Sequence, residues 1–211
     1  MKKYLLVMAA LLLATLINVE AQDDTRVKVL VSTSYGDMVL ELYNETPKHR
    51  DNFVKLVKEG WYNDSPFHRI IKNFMVQGGQ NADGRVDPGY TIPAEFSNEF
   101  YHKKGALAAA RMGDQVNPMK ESSGCQFYIV QGQKFDAEML NNMSKRSGFS
   151  YTDDAIETYS TVGGTPHLDG AYTVFGELVS GMDVLDQIAA VKTGPGDVPA
   201  EPITMRITII K

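Results

Sequence analysis

What most limits the fold of this chain is its rhythm: short apolar runs broken by Gly, Pro, Asp and Asn, with one amphipathic helix early and one late. Residues 27–33 and 38–42 read as two strands turned around Tyr35-Gly36-Asp37, a hairpin. Residues 67–71 and 74–77 are strand-like, and residues 79–95, rich in Gly, Asp, Asn and Pro, form a long loop. Residues 107–111, 126–130 and 173–178 are further short strands, and residues 203–210 alternate apolar with polar side chains and close the chain as a strand. Thr46-Pro47 opens the early helix, with Thr as N-cap and Pro at the first helical position. Phe53, Val54, Leu56 and Val57 then recur at helical spacing, and Gly60 stops the helix. The late helix covers residues 182–190, with Val184, Leu185 and Ile188 on one side. Many short strands with a helix toward each end predict a mainly β fold, a closed antiparallel barrel capped by two helices.

One stretch breaks the rhythm. Between Gln133 and Thr165 lie two helix-like pieces, the first carrying Met139, Leu140 and Met143, the second Ile156 and Tyr159 behind a Thr152 N-cap, with Gly148 between them. This segment, about 133–165, is too short to own a full core and reads as a helical insertion in a barrel loop, not a second domain. One domain then spans residues 27–211, behind a polar, disordered lead-in at 22–26. The first 21 residues read as a signal peptide: Lys2 and Lys3, an apolar run over 5–17, then Val19-Glu20-Ala21 with small residues at cleavage spacing. The run is shorter than the roughly 18 residues that span a bilayer, so the expectation is export, cleavage near Ala21, no stable membrane insertion afterwards, and a periplasmic or secreted product. A net charge of −5 with no Lys/Arg run argues against a nucleic-acid surface. Cys125 has no partner in the chain and reads as a small buried residue. Nothing in the sequence demands more than a monomer.

The segment Phe67-His68-Arg69-Ile70-Ile71-Lys72-Asn73-Phe74-Met75-Val76-Gln77-Gly78-Gly79 carries the chemistry. It places a fixed cation, large apolar side chains and an amide together and ends in a glycine pair. An apolar slot beside an Arg suits a proline ring and the amide nitrogen behind it. Rotation about an Xaa-Pro bond is slow because C–N resonance raises a barrier of roughly 18–20 kcal/mol. Lowering that barrier requires no nucleophile, metal or cofactor. It requires the prolyl nitrogen to become pyramidal, and a guanidinium aimed at that nitrogen favours the twisted form over the planar one. Arg stays charged and presents a rigid fork of donors.

Residues 67–79 resemble the signature of cyclophilins. The resemblance continues, in the family's order, through Leu107-Ala108-Ala109-Ala110-Arg111, Gly124-Cys125-Gln126-Phe127-Tyr128-Ile129 and Leu168-Asp169-Gly170-Ala171-Tyr172-Thr173-Val174-Phe175-Gly176. It covers nearly all of residues 27–211 apart from the insertion. It implies an eight-stranded antiparallel barrel with two capping helices, an active groove on the barrel's outer surface, and peptidyl-prolyl cis-trans isomerase activity on proline-containing peptides and unfolded or folding proteins. By that similarity Arg69 is the catalytic guanidinium. Phe74, Met75, Tyr128 and Leu168 form the proline pocket. Gln77 bonds the substrate backbone and helps hold Arg69. Ala110, Arg111 and Gln126 line the groove for residues before the proline.

Three positions depart from the family pattern. Tyr128 stands where most members carry a second Phe at the pocket floor, and its hydroxyl needs a partner or water. His167 replaces a rim Trp associated with cyclosporin binding, which implies weak inhibition by that compound. Tyr172 stands where well-studied eukaryotic members have a groove His. Strand alternation alone puts Met75 and Gln77 on one face and Gln126 and Tyr128 on one face, but core packing accounts equally for Phe74, Met75 and Tyr128. His49, His68, His102 and His167 show no metal-ligand spacing, and His68 should face away from Arg69. Two alternatives stay open at this level. One is a chaperone or assembly module that binds proline segments on the same fold with little catalysis. The other is an unrelated hydrolase, for which no Ser/His/Asp grouping shows in the sequence.

Overall fold

The computed structural model describes residues 25–84 and 88–211. The expected signal peptide, residues 1–21, and residues 22–24 of the lead-in lie outside them. The chain opens with the predicted hairpin, β1 (Lys28–Thr33) and β2 (Gly36–Leu42), followed by α1 (Pro47–Lys58). Short strands β3 (Ser65–Pro66), β4 (Arg69–Ile71), β5 (Met75–Gly78), β6 (Thr91–Ile92), β7 (Ala106–Ala109), β8 (Ser122–Ser123) and β9 (Phe127–Val130) come next. The insertion forms α2 (Ala137–Ser147) and α3 (Asp153–Thr161), and a 3-10 turn follows at Pro166–Leu168. Then come β10 (Val174–Ser180), α4 (Met182–Ala189), a second 3-10 turn at Pro195–Asp197, and β11 (Thr204–Ile209).

One antiparallel sheet holds nine strands in the order β3-β11-β1-β2-β10-β7-β9-β5-β4. Eight were expected. The extra strand is β3, just ahead of the expected 67–71 strand, which itself starts only at Arg69 because the chain bends at Phe67 and His68. The Phe67 amide donates to Ile203 O at 2.9 Å, and the His68 amide donates to Gln77 O at 3.0 Å. Consecutive residues thus bond the two ends of the sheet, with β3 on one edge and β4 on the other. β6, inside the expected 79–95 loop, pairs with β8 as a separate small ribbon.

The middle strands are buried on both faces. Inward, Val76, Leu107, Phe127, Ile129 and Phe175 pack with Phe53 and Leu56 of α1 and with Leu185 and Ile188 of α4. Phe53 is the hub, with ring centroids 5.1 Å from Tyr62, 5.4 Å from Phe127 and 5.6 Å from Phe175. Outward, Met75, Ala106, Ala108, Tyr128, Val130 and Val174 form a second apolar cluster with Phe74, Leu168 and Tyr172 packed against it. These strands therefore read as continuous apolar runs, where one-sided burial would have given an alternating pattern.

The start of α1 differs from expectation. Thr46 makes no side-chain cap, and its buried hydroxyl finds no partner. Instead the Glu95 carboxylate, from the long loop, accepts from the amides of Lys48 at 3.1 Å and His49 at 3.0 Å. An acidic group there satisfies first-turn donors and complements the helix dipole. Glu95 also lies 2.7 Å from His49 Nδ1, and His49 Nε2 lies 2.9 Å from Ser122 Oγ. Because a carboxylate only accepts, His49 carries its proton on Nδ1 and Ser122 donates to Nε2. The second insertion helix starts as predicted, with Thr152 accepting from the Ala155 amide; the first is capped by Asp136, which accepts from the Met139 amide, and Gly148 ends it in the left-handed region. Gly164 stitches the insertion to the sheet, since a Cβ there would lie 2.2 Å from His102 O.

Burial holds the imidazoles of His49, His68 and His167 below their ordinary pKa. For each, the folded state takes up protons less readily than the unfolded chain. Stability is therefore full above the ordinary histidine value and is lost as pH falls through the depressed folded values. The urea midpoint should drop between about pH 7.5 and about pH 5.5, and His49→Leu should cost about 1–3 kcal/mol at the higher pH because it leaves the buried Ser122 hydroxyl without its partner and takes one of three donors from Glu95. Equilibrium unfolding at the two pH values checks both, and an unchanged midpoint would contradict the assignment of neutral, buried imidazoles.

Candidate active site

The register of β4, β5, β9 and β7 builds the site. Arg69 lies opposite Gln77, Gln77 opposite Tyr128, and Tyr128 opposite Ala108. These four side chains form one row across the outer face of the sheet. Asn73, at φ 64, turns the chain between β4 and β5 and sets Phe74 at the end of the row's neighbour, Met75. Around the row lies a pocket of about 300 Å³ walled by Phe74, Met75, Tyr128, Leu168 and Tyr172, with Arg69, Gln77, Ala110 and Arg111 completing its lining. A second hollow of about 440 Å³ adjoins it, sharing Gln77, Ala110 and Arg111 and adding Gln126, Met112 and Val116. The smaller hollow can take one small ring, and the larger offers room for the chain leading to it.

Of the predicted site residues, Gln126 and His167 fall outside the smaller pocket. Gln126 lines the neighbouring hollow, and His167 stacks on Phe74 with ring centroids 5.5 Å apart. The pKa of His167 is lowered first by desolvation against its neighbours and then by His102 nearby. His68 lies outside both linings, and its buried Nδ1 has no hydrogen-bond partner.

The two arginines are held differently. Arg111 is nearly buried: Nε donates to Ala171 O at 2.8 Å, Nη1 to Met112 O at 2.9 Å and to Asp114 at 2.6 Å, and its guanidinium lies 4.5 Å from the centroid of the Tyr172 ring. It is a strut for the groove rim. Arg69 has a side chain 41% exposed and is tethered at one atom, with Nε donating to Asp197 Oδ2 at 3.3 Å. Gln77 was expected to help hold Arg69. Its side-chain amide instead donates to Gln126 Oε1 at 3.1 Å. The tether comes from Asp197, which sequence reasoning missed because 128 residues separate the two and no local signal links them. Asp197 sits at φ 61 in the turn after Gly196.

The floor residue Tyr128 is buried, which pushes its hydroxyl pKa well above the ordinary value. That hydroxyl lies 3.0 Å from His102 Nε2, so the partner it required is a side chain. Cys125 is buried, as predicted, with its carbonyl accepting from the Tyr62 hydroxyl at 3.0 Å. Among the described residues, no group of three or more His, Cys, Asp or Glu is placed to hold a metal ion.

Comparison with known proteins agrees with this geometry. The family described as "Cyclophilin type peptidyl-prolyl cis-trans isomerase/CLD" matches residues 28–209. A Staphylococcus saprophyticus protein named as a peptidyl-prolyl cis-trans isomerase is 38% identical over 184 residues, covering 85% of this chain and 89% of its own. The crystal structure of a Cryptosporidium parvum cyclophilin type peptidyl-prolyl cis-trans isomerase superposes with TM-score 0.68 at 25% identity, covering 89% of this chain and 99% of that one. A second structure of that protein, in the presence of the dipeptide Ala-Pro, gives TM-score 0.66 at 24% identity over 87% and 99% of the two chains. A curled antiparallel sheet with an apolar pocket and an Arg on its outer face is the architecture of a proline-directed isomerase. This chain belongs to the cyclophilin-type peptidyl-prolyl cis-trans isomerase family.

Removing the tether tests its part in the site. Asp197→Gly keeps the positive φ and deletes the carboxylate. Loss of an exposed ion pair of this kind should lower kcat/KM on an Xaa-Pro peptide by about two- to five-fold, with little change in melting temperature. Steady-state kinetics on the variant would show it, and unchanged kinetics would reduce Asp197 to a surface charge.

Proposed function

We propose that this protein accelerates rotation about Xaa-Pro bonds in exported proteins as they fold, with Arg69 as the catalytic group. The proline ring occupies the pocket between Phe74, Met75, Tyr128 and Leu168. Burial there fixes the ring while the preceding carbonyl turns. The Nη groups of Arg69 face the prolyl nitrogen and stabilise its lone pair once it leaves conjugation. Gln77, bonded to Gln126, presents a positioned amide to the backbone before the proline. Ala110 and Arg111 continue that surface into the larger hollow. A proline-containing peptide as ligand accords with the Ala-Pro dipeptide used with the Cryptosporidium protein.

One observation carries the reading. Arg69 is bonded at Nε, and among the described residues neither Nη nitrogen is committed to a protein acceptor. A guanidinium fixed by one nitrogen beside an apolar hollow is a donor in waiting. The same feature disfavours a pure binding module, which would gain nothing from a poised, half-exposed cation. We also read the curled sheet as the family's eight-stranded barrel closed through the bend at Phe67 and His68, where successive amides bond its two ends. We assign residues 1–21 as an export signal cleaved near Ala21, on the basic, apolar and small-residue order of that segment.

Arg69→Ala should lower kcat/KM on a short Xaa-Pro peptide by about 10²-fold, the scale for losing one positioned donor, while circular dichroism and melting stay near wild type. A protease-coupled assay measures this, and wild-type turnover would remove Arg69 from its role. For the export assignment, N-terminal sequencing of protein recovered from the cell envelope or medium should begin at Gln22. A chain retaining Met1 in the cytoplasm would overturn it.

A further inference from the structure

Behind the pocket, a chain of buried polar side chains runs from its floor into the insertion. Tyr128 Oη lies 3.0 Å from His102 Nε2. His102 Nδ1 lies 2.7 Å from Asp169 Oδ1, and the same oxygen accepts from the His102 amide at 2.8 Å. Tyr159 of α3 donates to Asp169 Oδ2 at 2.5 Å. All four residues are buried, His102 at 1% exposure and Tyr159 at 0%. Their order along the chain, 102, 128, 159, 169, makes the cluster a product of the tertiary fold alone.

The protons can be placed from donor and acceptor chemistry. The Asp169 carboxylate only accepts, so the His102 amide, His102 Nδ1–H and the Tyr159 hydroxyl all donate to it. With its ring proton on Nδ1, His102 offers a lone pair at Nε2, and the group that meets it is the Tyr128 hydroxyl. The Tyr128 proton therefore points into the protein, and the ring presents its carbon face to the pocket. Tyr172 stands edge-on to both partners, 6.1 Å from the Tyr128 ring and 6.4 Å from the His102 ring. Asp169 also follows Leu168, the pocket wall, and Tyr151 of the insertion donates to Pro166 O at 2.9 Å in the same turn. Residues 133–165 contribute nothing to the pocket lining. Their influence reaches the floor from behind.

We propose that Asp169 is a positioning residue for substrate: it holds His102 in the Nδ1–H tautomer, draws the Tyr128 hydroxyl inward and locks the aromatic floor on which the proline ring rests, with the insertion clamping the far end through Tyr159. This rests on the reading of the pocket as the proline site. A Phe floor would need no such chain. Here the insertion and the floor form one hydrogen-bonded unit, and the insertion sets how firmly a proline ring is seated, not which bonds rotate.

The experiment is a double-mutant cycle read on KM and kcat separately, with an Xaa-Pro peptide. Asp169→Asn is near-isosteric but sets an NH₂ group against one of the present donors. It should raise KM by about three- to ten-fold with kcat within about two-fold, because ring seating is disturbed while Arg69 is untouched. In a Tyr128→Phe background the same substitution should leave KM within about two-fold, since the link is already cut. An equal KM effect in both backgrounds overturns the proposal and assigns Asp169 to general stability. Should Asp169→Asn fail to fold, Tyr159→Phe removes one donor from the same carboxylate and is judged by the same cycle. Independently of turnover, ¹⁵N spectra of the His102 ring in the wild-type protein should show the proton on Nδ1 and a bare Nε2. A proton on Nε2 overturns the proposal even if Arg69→Ala behaves as stated, whereas wild-type turnover in Arg69→Ala would overturn the catalytic assignment and leave the tautomer result standing.

Discussion

The groove depends on the register between β5 and β9. With Gln77 opposite Tyr128, the outward side chains of Met75, Gln77 and Tyr128 face the pocket while Val76, Phe127 and Ile129 face the core. A slip of one residue would send Gln77 into the core and Val76 to the groove. The inner face forbids it. Phe127 is locked edge-on against Phe53 and Tyr62, and Gly78 backs onto Met205 and Phe67, where even a Cβ would lie 2.6 Å from a side-chain carbon. Gly79 is tighter still, with the Cys125 carbonyl 2.3 Å from where its Cβ would sit and a φ of +109. The glycine pair that ends the signature segment thus serves the sheet. It lets β5 lie close enough to the β9 approach for Arg69, Gln77 and Tyr128 to share one row.

Shape and access, more than reactive groups, separate this site from others in the same molecule. Ser122, His49 and Glu95 sit at the distances of a hydrolytic triad, a grouping the sequence did not reveal because 46 and 73 residues separate its members. Yet Ser122 is 1% exposed, and Glu95 is spent on the first turn of α1. That trio is a fastener between a helix start and a loop. Arg69 is the opposite case: a single donor, 41% exposed, beside a hollow that small side chains such as Ala110 leave open. Rotating an amide calls for one oriented cation and a dry wall, and no group in the pocket has to change its protonation state at neutral pH.

The sequence was legible where local rules act. The hairpin, the early and late helices, the two insertion helices and their Thr152 and Gly148 ends follow from periodicity and capping chemistry. The family resemblance located most of the pocket wall, because its blocks coincide with β5, β7, β9 and the turn at Leu168. What escaped was long-range polar pairing. Thr46 looked like a helix cap, but a carboxylate from residue 95 took its place. Gln77 looked like the support of Arg69, but Asp197 holds it. The strand count rose to nine because the two-residue β3 is set by its pairing with the distant β11 and leaves no mark in local composition.

The buried chain behind Tyr128 explains why polar groups are worth placing under an apolar pocket. An all-carbon floor would pack equally well and would bury nothing that needs a partner. A hydrogen-bonded floor has direction as well as contact. Each of its links admits one donor and one acceptor, so the Tyr128 ring cannot rotate or slide without leaving an oxygen or nitrogen unpaired in the interior. Such a chain is sound only if complete, and this one is: the carboxylate of Asp169 receives three donors, both ring nitrogens of His102 are used, and the outermost hydroxyl belongs to α3. The insertion therefore closes a polar circuit that the family's usual Phe would not open, which gives a physical reason for Tyr128 and the helical insertion to occur in the same chain.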